Sequence, residues 1–336
     1  MSELGIGVIG VGGMGARHAR NLSERVAHAR VAAVYDLDAA RAEAVARECS
    51  AVVARDPRDM IADPSLAAVL IATPDHTHAA LALACVEARK PVLCEKPLAV
   101  HSDDALAIVR AEAAFGHRLV SLGFMRRFDP QHVGIKRAIE AGQIGRPVLF
   151  KGSSRDFDLP DNHPVDTLMT NSVIHDIDSL RWLMGADIEE IYMRGTRSRP
   201  GFAATAYDVL LITASLAGAT LGMIEIAAAA GYGYDIGAEV VGDRGAAETA
   251  HPDGAQIRHA HQRTLAVPID WLDRFQAAYV AEAQAWVESL CSQTAFPGAS
   301  AWDGYMATLS AEACLRSLRS GAAEQIKPAA RPAHYG

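Results

Sequence analysis

The sequence has few of the features that mark secreted, metal-binding or nucleic-acid-binding proteins. Its five cysteines are an odd number and include no Cys-x-x-Cys pair, which argues against a disulfide framework and against a zinc site. Lys and Arg number 32 against 40 Asp and Glu, and the net charge of −8 disfavours nucleic acid as a partner. We therefore expect a reducing compartment, no bound metal and no nucleic-acid partner.

Targeting and membrane-spanning patterns are also lacking. The N-terminal residues show no basic segment ahead of an apolar run, so we expect no secretory signal. One apolar stretch, 209–231, carries Glu225 as its single charge, but Gly218 and Gly222 interrupt it. Two strands joined by a turn account for this stretch better than one helix. These patterns predict a cytoplasmic protein with no membrane partner.

The composition is that of a two-domain globular protein. Half of the residues are hydrophobic and 21% are charged, which excludes intrinsic disorder. A length of 336 residues is about twice that of a typical domain. Two domains are therefore expected, each large enough to bury its own core.

Short β-rich runs alternate with helix-like stretches in the first third of the chain. This alternation predicts an α/β Rossmann domain over 1–123, with a doubly wound parallel sheet. Its candidate strands are Gly5–Gly10, Val31–Asp36, Ala67–Ala72, Pro91–Cys94 and Leu119–Gly123. Strand-like runs then follow one another at Pro147–Ser153, Glu190–Gly195, Val209–Ala214, Ala219–Ala227 and Gly237–Gly242. Residues 124–336 are therefore predicted to form an α+β domain with a large, mostly antiparallel open sheet.

A glycine-rich turn gives the first indication of a ligand. The segment 10–15 has the pattern G-x-G-x-x-G, follows the first predicted strand and opens a helical stretch. Such glycines allow a tight turn and a close approach of the backbone to a pyrophosphate, and the helix N terminus favours the anion. The pattern predicts a dinucleotide site that includes Gly10, Gly12, Gly13, Met14 and Gly15.

Asp36, at the end of the second predicted strand, indicates which dinucleotide binds. An acid at this place is suited to bind the adenosine ribose, and its charge would repel a 2′-phosphate. NAD is therefore expected as the cofactor in preference to NADP. Arg41 could attract the phosphate, but it is expected on a solvated helix face.

The ends of two further strands should lie near the cofactor. Thr73–Pro74 follows one of them, and His76 or His78 beyond it could either contact the cofactor or face water at a helix N terminus. Glu95 and Lys96 follow the next strand. A lysine there can stabilise an alkoxide or relay a proton, although an exposed loop lysine fits the spacing equally well.

A polar stripe is predicted on a helix of the second domain. At 3.6 residues per turn, Asn171, His175 and Asp178 share one face. The apolar residues Val173, Ile177, Leu180 and Met184 lie on roughly the opposite face. A solvated face would ordinarily carry long Lys and Glu side chains, whereas these three are short hydrogen-bonding groups, so the stripe indicates a substrate site.

These segments together resemble the glucose–fructose oxidoreductase/inositol dehydrogenase family (Gfo/Idh/MocA), and most closely its inositol dehydrogenases. The shared features are the glycine turn, Thr73-Pro74 with His76, Glu95-Lys96-Pro97, and His175-Asp176-Ile177-Asp178. The resemblance continues through Gly123–Asp129, Tyr232–Ile236 and Trp302–Tyr305, so it covers nearly the whole chain. It implies NAD-dependent oxidation of a secondary hydroxyl of a cyclic polyol, an inositol-like cyclitol or a sugar, to a ketone.

The resemblance also implies roles for individual residues. Lys96 and His175 match the catalytic lysine and histidine of relatives, with substrate expected in a cleft between the domains. His175 would take the hydroxyl proton, and Lys96 would stabilise the developing negative charge. Arg126 and Tyr234 match substrate-contacting positions, and Ser154 stands where many inositol enzymes have a histidine.

Asn171 departs from the family pattern, because relatives have an aspartate four residues before the histidine. An aspartate would stabilise an imidazolium, whereas an amide can orient the ring but supplies no charge. Three explanations stay open: a substrate or direction that needs a weaker base, a carboxylate supplied by Asp176 or Asp178, or vestigial activity. We favour a changed substrate.

Two other functions are alternatives. A keto-sugar or anhydro-sugar reductase would differ only in direction and substrate, and an NAD-sensing regulatory protein would bind the cofactor without turnover. Retention of Lys96, His175, Arg126 and Tyr234 argues against the sensor. Relatives commonly form homotetramers through the open sheet of the second domain, and the apolar stretch 209–230 is expected to serve this purpose.

Overall fold

The computed structural model describes residues 3–203, 206–250 and 257–335, which form two compact units. The first unit contains the described residues up to Phe128, the segment Ala278–Leu309 and the residues from Pro328 onward. The second contains Asp129–Ala277 and Ser310–Lys327. The predicted division, 1–123 and 124–336, differs from this one because the chain returns twice to the first unit. Local sequence patterns do not show which core a late helix joins.

The first unit is built from alternating strands and helices. In chain order these are β1 (Leu4–Ile9), α1 (Gly13–Glu24), β2 (Ala29–Tyr35), α2 (Ala39–Cys49), β3 (Val52–Val53), α3 (Pro57–Ala62), β4 (Ala68–Ile71), α4 (Asp75–Glu87), β5 (Val92–Glu95), α5 (Ser102–Phe115), β6 (Val120–Gly123) and a 3₁₀ turn at Met125–Phe128.

Strands dominate the following part of the chain. Its elements are α6 (Pro130–Glu140), β7 (Pro147–Arg155), α7 (Val165–Leu168), a π-helical turn at Met169–Val173, α8 (Ile174–Met184), β8 (Ile188–Thr196), β9 (Val209–Leu216), β10 (Thr220–Ala227), β11 (Asp235–Gly242), β12 (Ala246–Glu248), β13 (Ile257–His259) and β14 (Gln262–Thr264). The C-terminal elements are α9 (Trp271–Ser292), β15 (Ala299–Ser300), α10 (Ala301–Ser320), β16 (Glu324–Gln325) and a 3₁₀ turn at Ala333–Tyr335.

Each unit contains one large sheet of the predicted type. In the first, the order is β15-β6-β5-β4-β1-β2-β3, with β1 to β6 parallel and β15 antiparallel to β6. In the second, the order is β12-β11-β7-β10-β9-β8-β16, and only the pairing of β7 with β10 is parallel among the described strands. The predicted fold class is confirmed, and the ten predicted strands end within two residues of the observed ones.

Apolar packing in the first unit includes a helix from late in the chain. The core of β1 and α1 is joined by Trp286 and Val287 of α9, which are 1% and 0% exposed. Phe275 and Tyr279 of the same helix are also buried. At the start of α5, His101 takes the cap position and Ser102 is the first helical residue.

The large sheet of the second unit has one buried and one open face. Leu180 of α8 packs on Gly222 of β10, where a Cβ would lie 2.7 Å from its Cδ1. This close contact explains why glycine interrupts the apolar stretch and how α8 is seated on the sheet. On the other face Leu211 and Leu221 are 47% and 56% exposed.

Among the described helices, none combines the length and the apolarity that crossing a bilayer requires.

Candidate functional site

The glycine turn after β1 has a conformation that only glycine can adopt. Gly10 has φ +84°, and a Cβ on it would lie 2.7 Å from the carbonyl oxygen of Ala72. A Cβ on Gly15 would lie 1.8 Å from the carbonyl oxygen of Gly10. The first turn of α1 therefore packs directly on the end of β1, as the sequence pattern predicts.

The outer side of this turn is open. A Cβ on Gly13 would meet nothing within 4 Å, and one on Gly12 would meet only Arg41 Nη1, at 3.9 Å. Gly12 caps α1 and supplies no side-chain acceptor, so backbone N–H groups of the first turn, including that of Met14, are available to an anion. The turn fits the diphosphate of a dinucleotide.

Asp36 lies beside the glycine turn, one residue beyond β2. Its Oδ2 accepts a hydrogen bond from the backbone N–H of Val11 at 2.9 Å, and its Oδ1 accepts one from Asp38 N at 2.9 Å. Arg41 Nη1 lies 3.3 Å from Oδ1. Arg41 lies exposed on α2, as expected, and its guanidinium also pairs with Asp36 and Asp38.

The two histidines after β4 have different surroundings. His76 is exposed in the first turn of α4, which leaves it accessible to a ligand. His78 is 1% exposed, and its ring nitrogens lie 2.7 Å from the carbonyl oxygen of Pro97 and 2.8 Å from that of Thr73. It therefore bridges the segments that follow β4 and β5. Thr73 Oγ1 is 2.6 Å from Thr77 Oγ1, which fixes the start of α4.

Lys96 follows β5 directly and is half-buried. Burial lowers the pKa of its ammonium group, and the carboxylates of Glu95 and Asp75 oppose this shift. Burial alone would raise the pKa of Glu95, but the hydrogen bond with His18 and the charge of Lys96 bring it below its ordinary value. A lysine with a lowered pKa gives up its proton more readily than an ordinary lysine does, which suits a group that relays a proton.

Several predicted site residues of the first unit share one edge of its sheet. Strands β1, β4, β5 and β6 are parallel, so their carboxyl ends lie at the same edge. The glycine turn, Thr73–Pro74, Glu95–Lys96 and the 3₁₀ turn that contains Arg126 follow these ends. Arg126 is 2% exposed.

The helix α8 carries buried polar groups in the second unit. His175, Asp176 and Asp178 are 7%, 1% and 1% exposed. Ser154 of β7 is also buried, and its Oγ donates a hydrogen bond to Asp176 Oδ2 at 2.8 Å. Asp176 therefore faces β7, where a Cβ on Gly152 would lie 3.5 Å from its Oδ1.

The predicted polar stripe has a different geometry in the structure. Asn171 is exposed and lies in the π-helical turn 169–173 rather than in α8. A π-helical turn has more than 3.6 residues, so the angle between Asn171 and His175 differs from the α-helical expectation. Residues Ile174–Leu180 are all buried, so neither side of this part of α8 is an open polar face.

Tyr234 lies just before β11 and is 8% exposed. Its backbone N–H donates to the carbonyl oxygen of Pro268 at 2.7 Å, and its ring meets that of Phe275 edge to face, with centroids 6.1 Å apart. These contacts fix the backbone and the ring of the tyrosine within the second unit.

The sequence patterns did not identify His18 or the bridging role of His78. His18 follows Gly15 by three residues and lies on the buried side of α1. Its partner Glu95 is 77 positions away, so no local pattern could pair them.

Comparisons with known proteins agree with this architecture. The GFO_IDH_MocA family model, "Oxidoreductase family, NAD-binding Rossmann fold", matches residues 4–124, and the model of its C-terminal alpha/beta domain matches 136–326. The chain is 45% identical over 333 residues to an inositol 2-dehydrogenase of Rubrobacter xylanophilus, covering 99% of this chain and 96% of that relative. It is also 45% identical to inositol 2-dehydrogenase 1 of Saccharopolyspora erythraea, covering 98% of each chain.

A solved structure has the same fold over its full length. Myo-inositol dehydrogenase from Lactobacillus casei, in complex with NAD(H) and myo-inositol, superposes with a TM-score of 0.94 at 30% identity. The match covers 99% of this chain and 100% of that one.

Proposed function

Because this chain belongs to the Gfo/Idh/MocA oxidoreductase family, we propose that it oxidises a secondary hydroxyl of an inositol-like cyclitol to a ketone, with NAD as hydride acceptor. The observation that carries the proposal is the placement of Lys96, whose pKa is lowered by burial, at the same sheet edge as the glycine turn. The inositol 2-dehydrogenases that match the full length support a cyclitol as the substrate class.

The first unit supplies the cofactor site. Bound NAD provides the nicotinamide ring that accepts the hydride. Backbone N–H groups of Gly12, Gly13 and Met14 bind the diphosphate, and Asp36 binds the adenosine ribose. Thr73–Pro74, His76 and Glu95 follow neighbouring strand ends and line the rest of the site.

We infer a preference for NAD over NADP from Asp36. Its carboxylate already accepts two backbone hydrogen bonds, so it is fixed in place at the expected position of the ribose hydroxyls. A 2′-phosphate would meet this charge directly. Arg41 offsets part of the repulsion, but it is tied to both Asp36 and Asp38.

Side chains of this protein carry out the proton transfer. His175 takes the proton of the substrate hydroxyl, and Lys96 stabilises the negative charge that develops on the substrate. The C–H electron pair leaves as a hydride, so the carbon and its oxygen become a ketone. Asn171 orients the ring of His175 and supplies no charge.

Other buried polar groups orient the remaining hydroxyls of the ring. Arg126 and Tyr234 lie next to β6 and β11, and both are largely buried. Asp178 and Ser154 are further members of this set of substrate-orienting groups. Ser154 is held in place by its hydrogen bond to Asp176. Donors and acceptors in fixed positions distinguish one hydroxyl configuration from another, which is how a cyclitol site selects its stereoisomer.

We further propose that the protein is a homotetramer in the cytoplasm. Leu211 and Leu221 are exposed on the open face of the sheet, where Glu225 pairs across the strands with Leu211. A second copy would cover these leucines, since exposed apolar faces of this kind mark association surfaces. All five cysteines are free, which suits a reducing compartment.

The proposed function is tested by NADH formation with a panel of cyclitols and sugars. We expect NADH to form with at least one inositol stereoisomer, and Lys96→Met to abolish turnover while NAD still binds. Tight binding of NAD with no turnover on any polyol would instead support an NAD-sensing regulator. A molar mass from light scattering that differs from that of four chains would refute the homotetramer and leave the proposed activity unaffected.

A further inference from the structure

A buried histidine outside the proposed proton-transfer set contacts the residue next to Lys96. His18 of α1 is 1% exposed, and its Nε2 lies 2.7 Å from Glu95 Oε1. An ionised carboxylate can only accept hydrogen bonds, so Nε2 is the donor. Its Nδ1 is buried without a hydrogen-bond partner among the described residues, so Glu95 alone determines the tautomer.

The imidazole of His18 is also fixed by packing. It meets the ring of Tyr279 edge to face, with centroids 5.8 Å apart and planes at 85°. Tyr279 is itself 5% exposed. The histidine therefore cannot turn away from Glu95 without moving a buried aromatic ring.

The second oxygen of Glu95 completes the link to Lys96. Glu95 Oε2 accepts a hydrogen bond from the backbone N–H of Lys96 at 3.2 Å. The carboxylate lies over Gly123 of β6, where a Cβ would be 3.3 Å from Oε2. The Glu95 carboxylate thus links His18 of α1 to the backbone N–H of Lys96. A side chain at position 123 would reduce the space that this carboxylate occupies.

We propose that His18 is a positioning residue for Lys96, acting through Glu95. This inference rests on the proposed role of Lys96 at the substrate oxygen. His18 keeps Glu95 ionised and directed at the Lys96 backbone, so the carboxylate supports the lysine ammonium from a fixed place. Lysine has a long flexible stem, and its reach to a substrate depends on the backbone from which it starts.

The consequence of losing His18 follows from the charges. Without its hydrogen-bond donor the buried carboxylate of Glu95 is poorly solvated, its pKa rises, and it takes up a proton. Lys96 then loses the nearest negative charge that supports its ammonium form. The pKa of Lys96 falls further, and the segment after β5 is less firmly placed. A displacement of about 1 Å at a reacting group can cost about 10² in rate.

The experiment compares His18→Leu, which removes the donor, with His18→Gln, which restores an N–H donor. His334→Leu is the control, because this histidine belongs to the same unit and contacts neither Glu95 nor Lys96 among the described residues. Acetylation of Lys96 by acetic anhydride across pH, quantified by mass spectrometry of its peptide, measures the titration of the amine. NAD affinity and steady-state kinetics with myo-inositol are measured alongside.

His18→Leu should lower the pKa of Lys96 and reduce kcat by about 10²-fold, with NAD affinity changed by less than threefold. His18→Gln should restore most of the Lys96 pKa and most of kcat, and His334→Leu should match the wild type. Unchanged Lys96 titration in a folded His18→Leu variant overturns the proposal. If that variant does not fold, Glu95→Gln removes the same charge, and an unchanged Lys96 titration there overturns it equally.

The outcomes separate this inference from the proposed function. If the wild type oxidises no cyclitol but His18→Leu shifts the Lys96 titration, the positioning role stands and the dehydrogenase proposal fails. If the wild type is active and the titration does not move, the positioning role alone fails.

Discussion

The Asp36 carboxylate is hydrogen-bonded to the backbone N–H of Val11 at 2.9 Å. This contact joins the end of β2 to the glycine turn after β1, so the groups expected to bind ribose and diphosphate are held together. The same carboxylate pairs with Arg41. We therefore expect the choice of cofactor to depend on a small network of charges rather than on one acid.

Replacing Asp36 should weaken NAD binding and relax the choice of cofactor. Asp36→Ser removes a charged acceptor, and hydrogen bonds to charged groups contribute about 1.5–3 kcal/mol, so NAD affinity should fall by about 10- to 100-fold. Relative activity with NADP should rise, because the 2′-phosphate no longer meets the charge of Asp36 and Arg41 keeps only its contact with Asp38. Calorimetric titration measures the affinities for NAD and NADP, and initial rates with each cofactor measure the relative activity. Asp38→Asn is the matched control, and equal losses in both variants would rule out a specific role for Asp36.

Removing the imidazole of His175 should abolish most turnover without affecting the cofactor. Positioned acid–base help is typically worth about 10² to 10⁴ in rate, so His175→Ala should lose that factor in kcat. NAD affinity should stay near that of the wild type, since the glycine turn and Asp36 belong to the other unit. His117→Ala, an exposed histidine, is the control. Near-normal kcat in His175→Ala would remove it from the mechanism.

Asn171→Asp tests why the family aspartate is missing. A carboxylate four residues before His175 would stabilise the imidazolium, and each unit of pKa corresponds to about 1.4 kcal/mol, or tenfold. We expect about tenfold faster oxidation of myo-inositol and a smaller gain on other cyclitols. Asn162→Asp adds the same charge at an exposed position and should change nothing. An unchanged myo-inositol rate in Asn171→Asp would show that our account of this position is wrong.

The buried pair of Asp129 and Arg274 should make the second unit sensitive to acid. Asp129 Oδ1 lies 2.7 Å from Arg274 Nη1, and Oδ2 lies 2.6 Å from the Nδ1 of His132. Burial would raise the pKa of Asp129, but the hydrogen bonds and charges of His132 and Arg274 bring it far below its ordinary value.

A carboxyl group with a lowered pKa in the folded state stabilises that state above its ordinary pKa, about 3.9, and this stabilisation is lost as the pH falls below it. Arg274→Leu should lower the free energy of unfolding by about 3–5 kcal/mol at pH 7, because it leaves a buried charge with one partner fewer. The difference from the wild type should shrink at low pH. Denaturant unfolding of the two proteins at pH 7 and at pH 3 measures this difference in the free energy of unfolding. A difference that does not change with pH would contradict the argument.

The sequence predicts well those features whose physical requirement is local. The glycine turn is such a case, because Gly10 is required by its positive φ and Gly15 by its contact with the carbonyl oxygen of Gly10.

Features that depend on distant partners could not be predicted. His18 and Glu95 meet across 77 positions, and Asp129 and Arg274 across 145. The π-helical turn before α8 also has no local signature, so the angle between Asn171 and His175 could not be predicted from α-helical spacing. The return of Trp286 to the core of the first unit is a further example, since its helical spacing shows a buried side but not which core it joins.

The most direct test of the dehydrogenase proposal follows the hydrogen itself. The enzyme is incubated with NAD and myo-inositol deuterated at every ring carbon, and the NADH is analysed by mass spectrometry. The account predicts one deuterium in each NADH formed by the wild type and almost no NADH from His175→Ala. NADH without deuterium, or equal yields from both proteins, would contradict it.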